Sequence, residues 1–128
     1  MKKIKDYIKL ISGYPQFRIK ETTDNTVPVY TYYGQPEVEN DLINLNINKT
    51  DNRQVQTLDK VVIVQESDVL FSLISGKATW VRAIHQGYLI TQNYVKLILP
   101  SSIDKKYFIY LLNEDISIKR QFQVGLQG

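Results

Sequence analysis

The stretch LFSLISGKATWVRAIHQGYLITQNYVKLILP, residues 70–100, decides the fold class of this chain. Both of its ends are apolar and rich in β-branched residues, which is the composition of buried strands. Its middle differs, because Lys77, Arg82, His85 and Gln86 lie there around two glycines. A sheet interrupted by a polar, basic loop with small residues is a rigid platform that carries an adaptable surface. The stretch therefore predicts a sheet protein whose loop binds a partner.

Strand-like segments also lie on either side of this loop. Residues 17–20 alternate apolar and basic side chains, and residues 27–34 are β-branched and aromatic. Residues 60–65 form an apolar run, and the polar residues 66–68 separate it from the next run. We therefore expect strands over 17–20, 27–34, 60–65, 69–74 and 79–85, with one or two more within 88–99.

Helical patterns occur at both ends of the chain. Apolar residues spaced three and four apart predict a short helix over 4–11, on Ile4, Tyr7, Ile8 and Ile11. Asp104 is placed to cap a helix over 105–113, whose core side would hold Tyr107, Phe108, Leu111 and Leu112. Another helical turn or two is expected after Asp115, with Ile116, Ile118 and Phe122 as its apolar residues.

Together these elements predict a mixed α/β protein of the α+β kind. A length of 128 residues fits one compact domain over residues 1–128. The expected sheet is strongly bent, mixed or antiparallel, and short helices flank it. The polar segment 35–59 is expected to be a loop with a short strand near 43–47.

Composition narrows the class of protein further. The hydrophobic share is 43% and no apolar run has the length of a membrane span, so we expect no membrane partner. The absence of cysteine excludes disulfides and cysteine-zinc sites. The basic start is interrupted by Lys5, Asp6 and Lys9, unlike a signal peptide, which predicts a cytoplasmic protein. A net charge of +3 permits nucleic-acid binding without requiring it.

Motifs for catalysis are not found. The segment SGKAT lacks the first glycine and the hydroxyl residue of a phosphate-binding loop, because Phe71 and Ala78 occupy those positions. His85 is the single histidine, and no serine lies in a nucleophile elbow. Asp104 and Lys106 form a pair that a nuclease uses, but no second metal-binding acid is suitably placed upstream on a strand. We therefore expect no catalytic residue, no metal and no cofactor.

A binding function fits the residues better. The middle of the chain combines hydrogen-bond donors with small residues that allow a nucleic acid to approach closely: Lys77, Arg82, Gln86, Gln92 and Asn93 among Ser75, Gly76, Ala78 and Gly87. Spacing alone does not separate DNA or RNA binding from binding to a protein.

The order of the segments resembles a known family. Three segments follow one another in the chain: KDYIKLISGYPQFRIKE (5–21), SDVLFSLISGKATWVRAIHQGYLITQNYVKLILPSSIDKKYFIYLLN (67–113) and IKRQFQVGLQG (118–128). This series resembles the target recognition domain in the specificity subunit of type I restriction-modification enzymes. The resemblance spans nearly the whole chain and is least distinctive over 35–59.

The resemblance implies a function and a set of contacts. It implies a non-catalytic module that recognises a duplex DNA sequence and gives target specificity to partner methyltransferase and restriction subunits. The residues expected to contact DNA are Tyr14, Arg18, Lys20, Ser75, Lys77, Thr79, Arg82, Gln86, Gln92 and Asn93. Lys77 is expected to meet phosphate, whereas Gln92 and Asn93 are favoured to hold the backbone of the loop.

Arg82 has two competing interpretations. Its planar fork is able to take two acceptors on a guanine edge. Alternatively, it forms an exposed ion pair with Glu66 or Asp68 on a neighbouring strand, which is worth roughly 0 to 1 kcal/mol to the fold.

One departure from the family and three alternatives stay open. A long spacer helix follows each recognition domain in that family, but this chain ends at Gly128, so we expect a recognition domain that lacks this helix. Self-association is one open possibility. The chain is alternatively a protein-interaction module that uses exposed tyrosines and the acids of 37–41. A third possibility is a metal-dependent nuclease that uses Asp104 or Glu66.

Overall fold

An antiparallel sheet of four short strands organises the computed structural model, which describes residues 8–43 and 53–127. Along the sheet the order is β1 (Lys9–Ser12), β8 (Tyr94–Ile98), β5 (Val69–Ser72) and β6 (Ala78–Trp80). Two smaller antiparallel pairs join β2 (Val29–Thr31) to β3 (Gln54–Gln56) and β4 (Val62–Ile63) to β7 (Leu89–Ile90). Three helices complete the mixed α/β domain: α1 (Gln35–Ile43), α2 (Lys105–Glu114) and α3 (Ile116–Gln127).

Strand β5 divides the core because its side chains alternate between the two faces of the sheet. Val69 and Phe71 pack on one face with Val95, Leu97 and residues of the last two helices, including Phe108, Leu112 and Phe122. Leu70 packs on the other face with Tyr33, Val38, Val64, Val81, Ile90 and Tyr94. All four residues of β5 are buried, as the apolar run at 69–74 predicts.

The C-terminal helices lie where the sequence predicts them, although α3, with 12 residues, is longer than the turn or two expected. The Asp104 side chain accepts a hydrogen bond from the Tyr107 backbone N–H at 2.9 Å, which satisfies a free donor of the first turn of α2. Asp115 does the same for Ile118 at the start of α3. Phe108, Leu112 and Phe122 are buried as expected, whereas Tyr107 is 54% exposed and Ile116 is 70% exposed.

The N-terminal segments differ from the prediction. Residues 1–7 lie outside the described residues, but Lys9–Ser12 form a strand instead of the second half of a helix. Leu10 and Ile11 stand opposite Leu97 and Lys96 of β8, so pairing with the sheet overrides the helical spacing of the apolar residues. The strand expected over 17–20 is also wrong: Gln16–Arg18 form a single 3-10 turn, and the apolar residue of that turn, Phe17, is 80% exposed.

The polar segment is helical at its start. Gln35–Ile43 form α1, whereas a loop was expected, and Pro36 stands in the first turn, where a missing N–H costs nothing. Ile43 belongs to this helix, and the rest of the strand expected near 43–47 lies outside the described residues. The strand expected over 79–85 ends at Trp80, and Ala83–His85 form a 3-10 turn.

A candidate nucleic-acid interface at one end of the sheet

Three turns meet at one end of the four-stranded sheet. The chain leaves β1 and β5 at this end and enters β8 and β6 there, because neighbouring strands run antiparallel. The turns formed by residues 13–18, 73–77 and 91–93 are therefore neighbours. We call these three segments the turn cluster.

Close contact between the backbones of Gly13 and Thr91 holds the first and third turns together. A Cβ atom added to Gly13 would lie 2.1 Å from the Thr91 carbonyl oxygen, so a side chain does not fit there. The Gly13 N–H donates to the Tyr94 carbonyl at 3.1 Å, and Tyr14 forms an isolated β-bridge with Thr91. The Gln92 side chain accepts a hydrogen bond from the Gln16 N–H at 2.9 Å. This contact joins the first turn to the third.

Ser72 organises the second turn. Its hydroxyl accepts hydrogen bonds from the Ile74 and Ser75 N–H groups, both at 3.2 Å, and donates to the Gln35 side chain at 2.6 Å. The Leu73 N–H donates to the Asn93 carbonyl at 2.9 Å, which connects this turn to the third one. The second turn is thus tied both to the third turn and to the start of α1.

Cationic side chains lie around the turn cluster. Arg18 is exposed and Lys77 is half-buried. Lys119 of α3 lies beside the second turn, because a Cβ atom on Gly76 would be 3.3 Å from its Nζ atom. Arg53 lines a cleft together with Gln16, Ile74 and Asn93 of the turn cluster. These side chains give this end of the sheet the charge that attracts phosphate groups.

The cleft beside the turn cluster has a volume of about 270 Å³. Its exposed wall comes from Gln16, Pro36, Arg53 and Ile74, and its buried wall from Tyr33, Glu37, Thr91 and Tyr94. Loss of water raises the pKa of the buried Glu37 carboxyl. Burial, and secondly the charge of Glu37, raise the pKa of Tyr94 to about 12.

A buried polar network lies behind this cleft. Asp41 is 1% exposed, and its two carboxylate oxygens lie 2.9 and 3.0 Å from Nδ1 of His85. The Tyr33 hydroxyl donates to the same carboxylate at 2.7 Å, and burial followed by the Asp41 charge raises the pKa of Tyr33. The network ties α1 to the Ala83–His85 turn. His85 is therefore a buried structural residue within the turn that follows β6.

Six of the ten residues predicted to contact DNA lie in the turn cluster: Tyr14, Arg18, Ser75, Lys77, Gln92 and Asn93. The other four lie elsewhere. The backbone of Lys20 donates to the Asp59 carboxylate at 2.7 Å, and Gln86 is an exposed residue after the Ala83–His85 turn. Thr79 is 2% exposed within β6, so its hydroxyl is not available to a duplex.

Arg82 lies beyond the opposite end of β6 and has structural partners. Its guanidinium donates to the Asp41 carbonyl oxygen at 3.3 and 3.2 Å and lies 5.4 Å from the centre of the Trp80 ring. The alternative interpretation, an ion pair with Glu66 or Asp68, is wrong, because the Arg82 guanidinium lies against α1 and Asp68 pairs with Lys96 at 3.2 Å. Arg82 therefore connects β6 to α1 and lies outside the turn cluster.

Four residues of the site were not among those predicted to contact DNA. They come to this end of the sheet from segments that are distant from one another in the chain: Gln16, Glu37, Arg53 and Lys119. The spacing of apolar residues predicts that Lys119 lies on a helix. It does not predict that this helix, α3, packs beside the second turn. Only the packing of the elements brings these side chains together.

Two alternatives from the sequence lose support here. The acidic surface expected over residues 37–41 is wrong in two of its three acids, because Glu37 and Asp41 are buried and face the interior. Asp104 serves as the cap of α2. Within residues 8–43 and 53–127, no group of three or more metal-ligating side chains is found. Among the helices of those residues, none has the length and apolar character needed to cross a bilayer.

Comparison with solved structures finds a chain of similar fold. The crystal structure of the HsdS subunit from Thermoanaerobacter tengcongensis superimposes with a TM-score of 0.53 at 13% sequence identity. The match covers 96% of this chain but only 28% of that chain, so this protein spans under a third of the HsdS length. At this identity the likeness shows a shared fold. No protein-family model and no curated protein matches the sequence.

Proposed function

We propose that this chain is a module for sequence-specific recognition of duplex DNA in a type I restriction-modification system. It performs no catalysis and gives target specificity to methyltransferase and restriction subunits in the cytoplasm. The fold it shares with HsdS, the specificity subunit of such systems, supports this proposal. The order of sequence segments that resembles target recognition domains supports it independently.

The observation that carries the proposal is the turn cluster. Six of the residues predicted to contact DNA come from three segments that lie far apart in the chain, and these segments meet at one end of the sheet. Turns supported by a rigid sheet are a common place for binding residues. The basic side chains of Arg18, Lys77 and Lys119 surround these turns.

The contacts of each side chain suggest a division of labour. Gln92 and the Asn93 backbone hold the turns in place, so their contribution to DNA binding is positional. The cations meet phosphate groups, which set affinity and register but carry no sequence information. Exposed polar side chains of the turns, Gln16 and Ser75, are left to meet base edges.

The experiment that tests this function is a titration of a fluorescent duplex, followed by anisotropy between 50 and 200 mM salt. Non-specific affinity is expected near the micromolar to submillimolar range. Three or four phosphate contacts predict that log K falls with log salt at a slope of about −3. Arg18→Ala should make the slope shallower by about one unit.

Lys105→Ala is the matched control, since Lys105 donates to the Ser67 carbonyl at the opposite end of β5. It should leave the slope unchanged. Affinity that does not depend on salt, or an equal effect of the two variants, would contradict the proposal. Salt-insensitive binding to a protein would instead favour the protein-interaction alternative.

A further inference from the structure

Large apolar side chains are exposed among the cations of the turn cluster. Phe17 of the first turn is 80% exposed, and Ile74 and Leu73 of the second turn are 58% and 49% exposed. The two turns are close together, because Gln16 and Ile74 line the same cleft. A single apolar residue on a surface is ordinary, but a group of them at one place indicates a contact. Phosphate contacts make no use of these side chains, so they need another role.

The first turn holds the Phe17 ring in its exposed position. Phe17 is the middle residue of a 3-10 turn, which the Arg18 N–H closes by donating to the Pro15 carbonyl at 3.0 Å. The proline ring fixes the backbone at the start of this turn. The Gln16 N–H donates to the Gln92 side chain of the third turn at 2.9 Å. Because this backbone is ordered in the free protein, burying the Phe17 ring in a ligand costs little further conformational entropy.

The charges around these side chains favour DNA over a protein as the partner. The Arg18 guanidinium lies 5.6 Å from the centre of the Phe17 ring. Lys119 lies beside the second turn, and Arg53 lines the cleft together with Ile74. The core of a protein–protein interface is usually depleted of charged residues, whereas a duplex has phosphates on both strands beside each base step. Apolar side chains among cations therefore match the stacked bases and the backbone of a duplex.

We propose that Phe17 is a wedge that inserts between two neighbouring base pairs and kinks the duplex, with Ile74 packing against the opened step. Apolar side chains act in this way in architectural DNA-binding proteins. Burial of the phenyl ring offsets part of the cost of unstacking, so the sequence of the opened step decides the balance. Pyrimidine–purine steps such as TA deform most easily. The wedge therefore gives the module a preference for such a step without any hydrogen bond to its bases.

This inference rests on the proposed function, because the wedge needs a duplex at the turn cluster. It goes further by assigning part of the sequence specificity to deformation of the DNA. Phosphate contacts and hydrogen bonds to base edges do not need a kink. The module is therefore able to bind DNA even if Phe17 is not a wedge, and the two proposals fail separately.

Two duplexes of equal composition and charge measure the step preference. Each has about 20 base pairs, and they differ only at the centre, which reads GTAC in one and GATC in the other. The flanks are identical and contain no pyrimidine–purine step, so the TA step of GTAC is the only one present. Anisotropy at low salt measures affinity, and energy transfer between dyes at the two ends measures bending. Wild-type protein should bind the GTAC duplex about tenfold more tightly and should raise energy transfer in it.

Phe17→Ala tests the wedge by a substitution at an exposed position. It should bind the two duplexes with equal affinity and leave energy transfer as in free DNA, while the salt slope stays that of wild type because Arg18 is kept. Phe17→Leu should retain part of both effects, since leucine also acts as a wedge. Tyr107→Ala is the matched control, because Tyr107 is an aromatic residue of α2 that is 54% exposed and lies two residues after Lys105. It should change neither readout.

The outcomes distinguish this inference from the proposed function. Salt-dependent binding of both duplexes with equal affinity and no rise in energy transfer would overturn the wedge and leave the DNA-binding proposal standing. Absence of salt-dependent binding to any duplex would contradict the proposed function and the wedge with it. A step preference that survives in Phe17→Ala would overturn the role of Phe17. Weaker assembly of a reconstituted subunit complex in that variant would then assign Phe17 to a protein contact.

Discussion

Replacement of Asp41 by alanine should remove the support of α1. The carboxylate receives the Tyr33 hydroxyl at 2.7 Å and lies within 3.0 Å of His85 Nδ1, and all three side chains are buried. Asp41→Ala therefore leaves two buried polar groups without a partner. Each such group costs about 1–3 kcal/mol, so the expected loss of unfolding free energy is about 2–6 kcal/mol.

This loss is large compared with the whole stability of a small domain, which is about 5–15 kcal/mol. With a urea dependence of about 2 kcal/mol per molar, a central loss of about 4 kcal/mol lowers the unfolding midpoint by about 2 M. Fluorescence of Trp80 followed through a urea titration measures this midpoint. Glu39→Ala is the control, because Glu39 is an exposed acid on the same helix and should change stability by at most about 0.5 kcal/mol.

Equal urea midpoints for the two variants would show that the Asp41 carboxylate does not stabilise the fold. A difference below about 1 kcal/mol would mean that water or a rearranged side chain replaces the carboxylate at little cost.

Three further predictions concern substitutions of single residues. Gly13→Ala places a Cβ atom within 2.1 Å of the Thr91 carbonyl oxygen and should lower the unfolding free energy by about 1–3 kcal/mol. A thermal melt measures this loss, and a stability equal to that of wild type would contradict the prediction. Arg82→Ala removes both donors to the Asp41 carbonyl and should lower unfolding free energy by about 1–2 kcal/mol, while the sequence preference of a reconstituted subunit in methylation assays stays unchanged. A relaxed preference at one target position would restore Arg82 as a base contact. Lys77→Ala should weaken all duplexes about equally and lower the salt slope by about one unit, and discrimination among duplexes would refute its phosphate role.

Much of the sheet was predictable because its signals are local. The run at 69–74 contains β5, and residues 88–99 contain β7 and β8, since a buried strand needs only apolar residues of suitable length. The cap at Asp104 marks the start of α2 for the same reason. These features depend on neighbours in the chain.

The failures depend on partners that are distant in the chain. Ile8 and Ile11 have helical spacing, yet Lys9–Ser12 gain hydrogen bonds from the edge of β8, about 86 residues away along the chain, and the sheet determines the outcome. Segment 35–43 has the composition of a loop, but Tyr33 and His85 bury Asp41 and so stabilise a helix with little apolar character. Arg82 has the side chain of a base reader, and only the position of α1 shows that its Nε and Nη2 atoms donate to the Asp41 carbonyl oxygen.

The central claim is that the turn cluster is the surface that meets DNA. The most direct measurement is a titration of ¹⁵N-labelled protein with a short duplex, in which backbone amide shifts are followed by NMR at low salt. The largest shifts should fall on residues 13–18, 73–77 and 91–93, with the backbone amides of Arg53 and Lys119 also affected and those of residues 105–112 of α2 unaffected. Shifts centred on the outer face of α2, or absent from the turn cluster while duplex binds, would contradict the account.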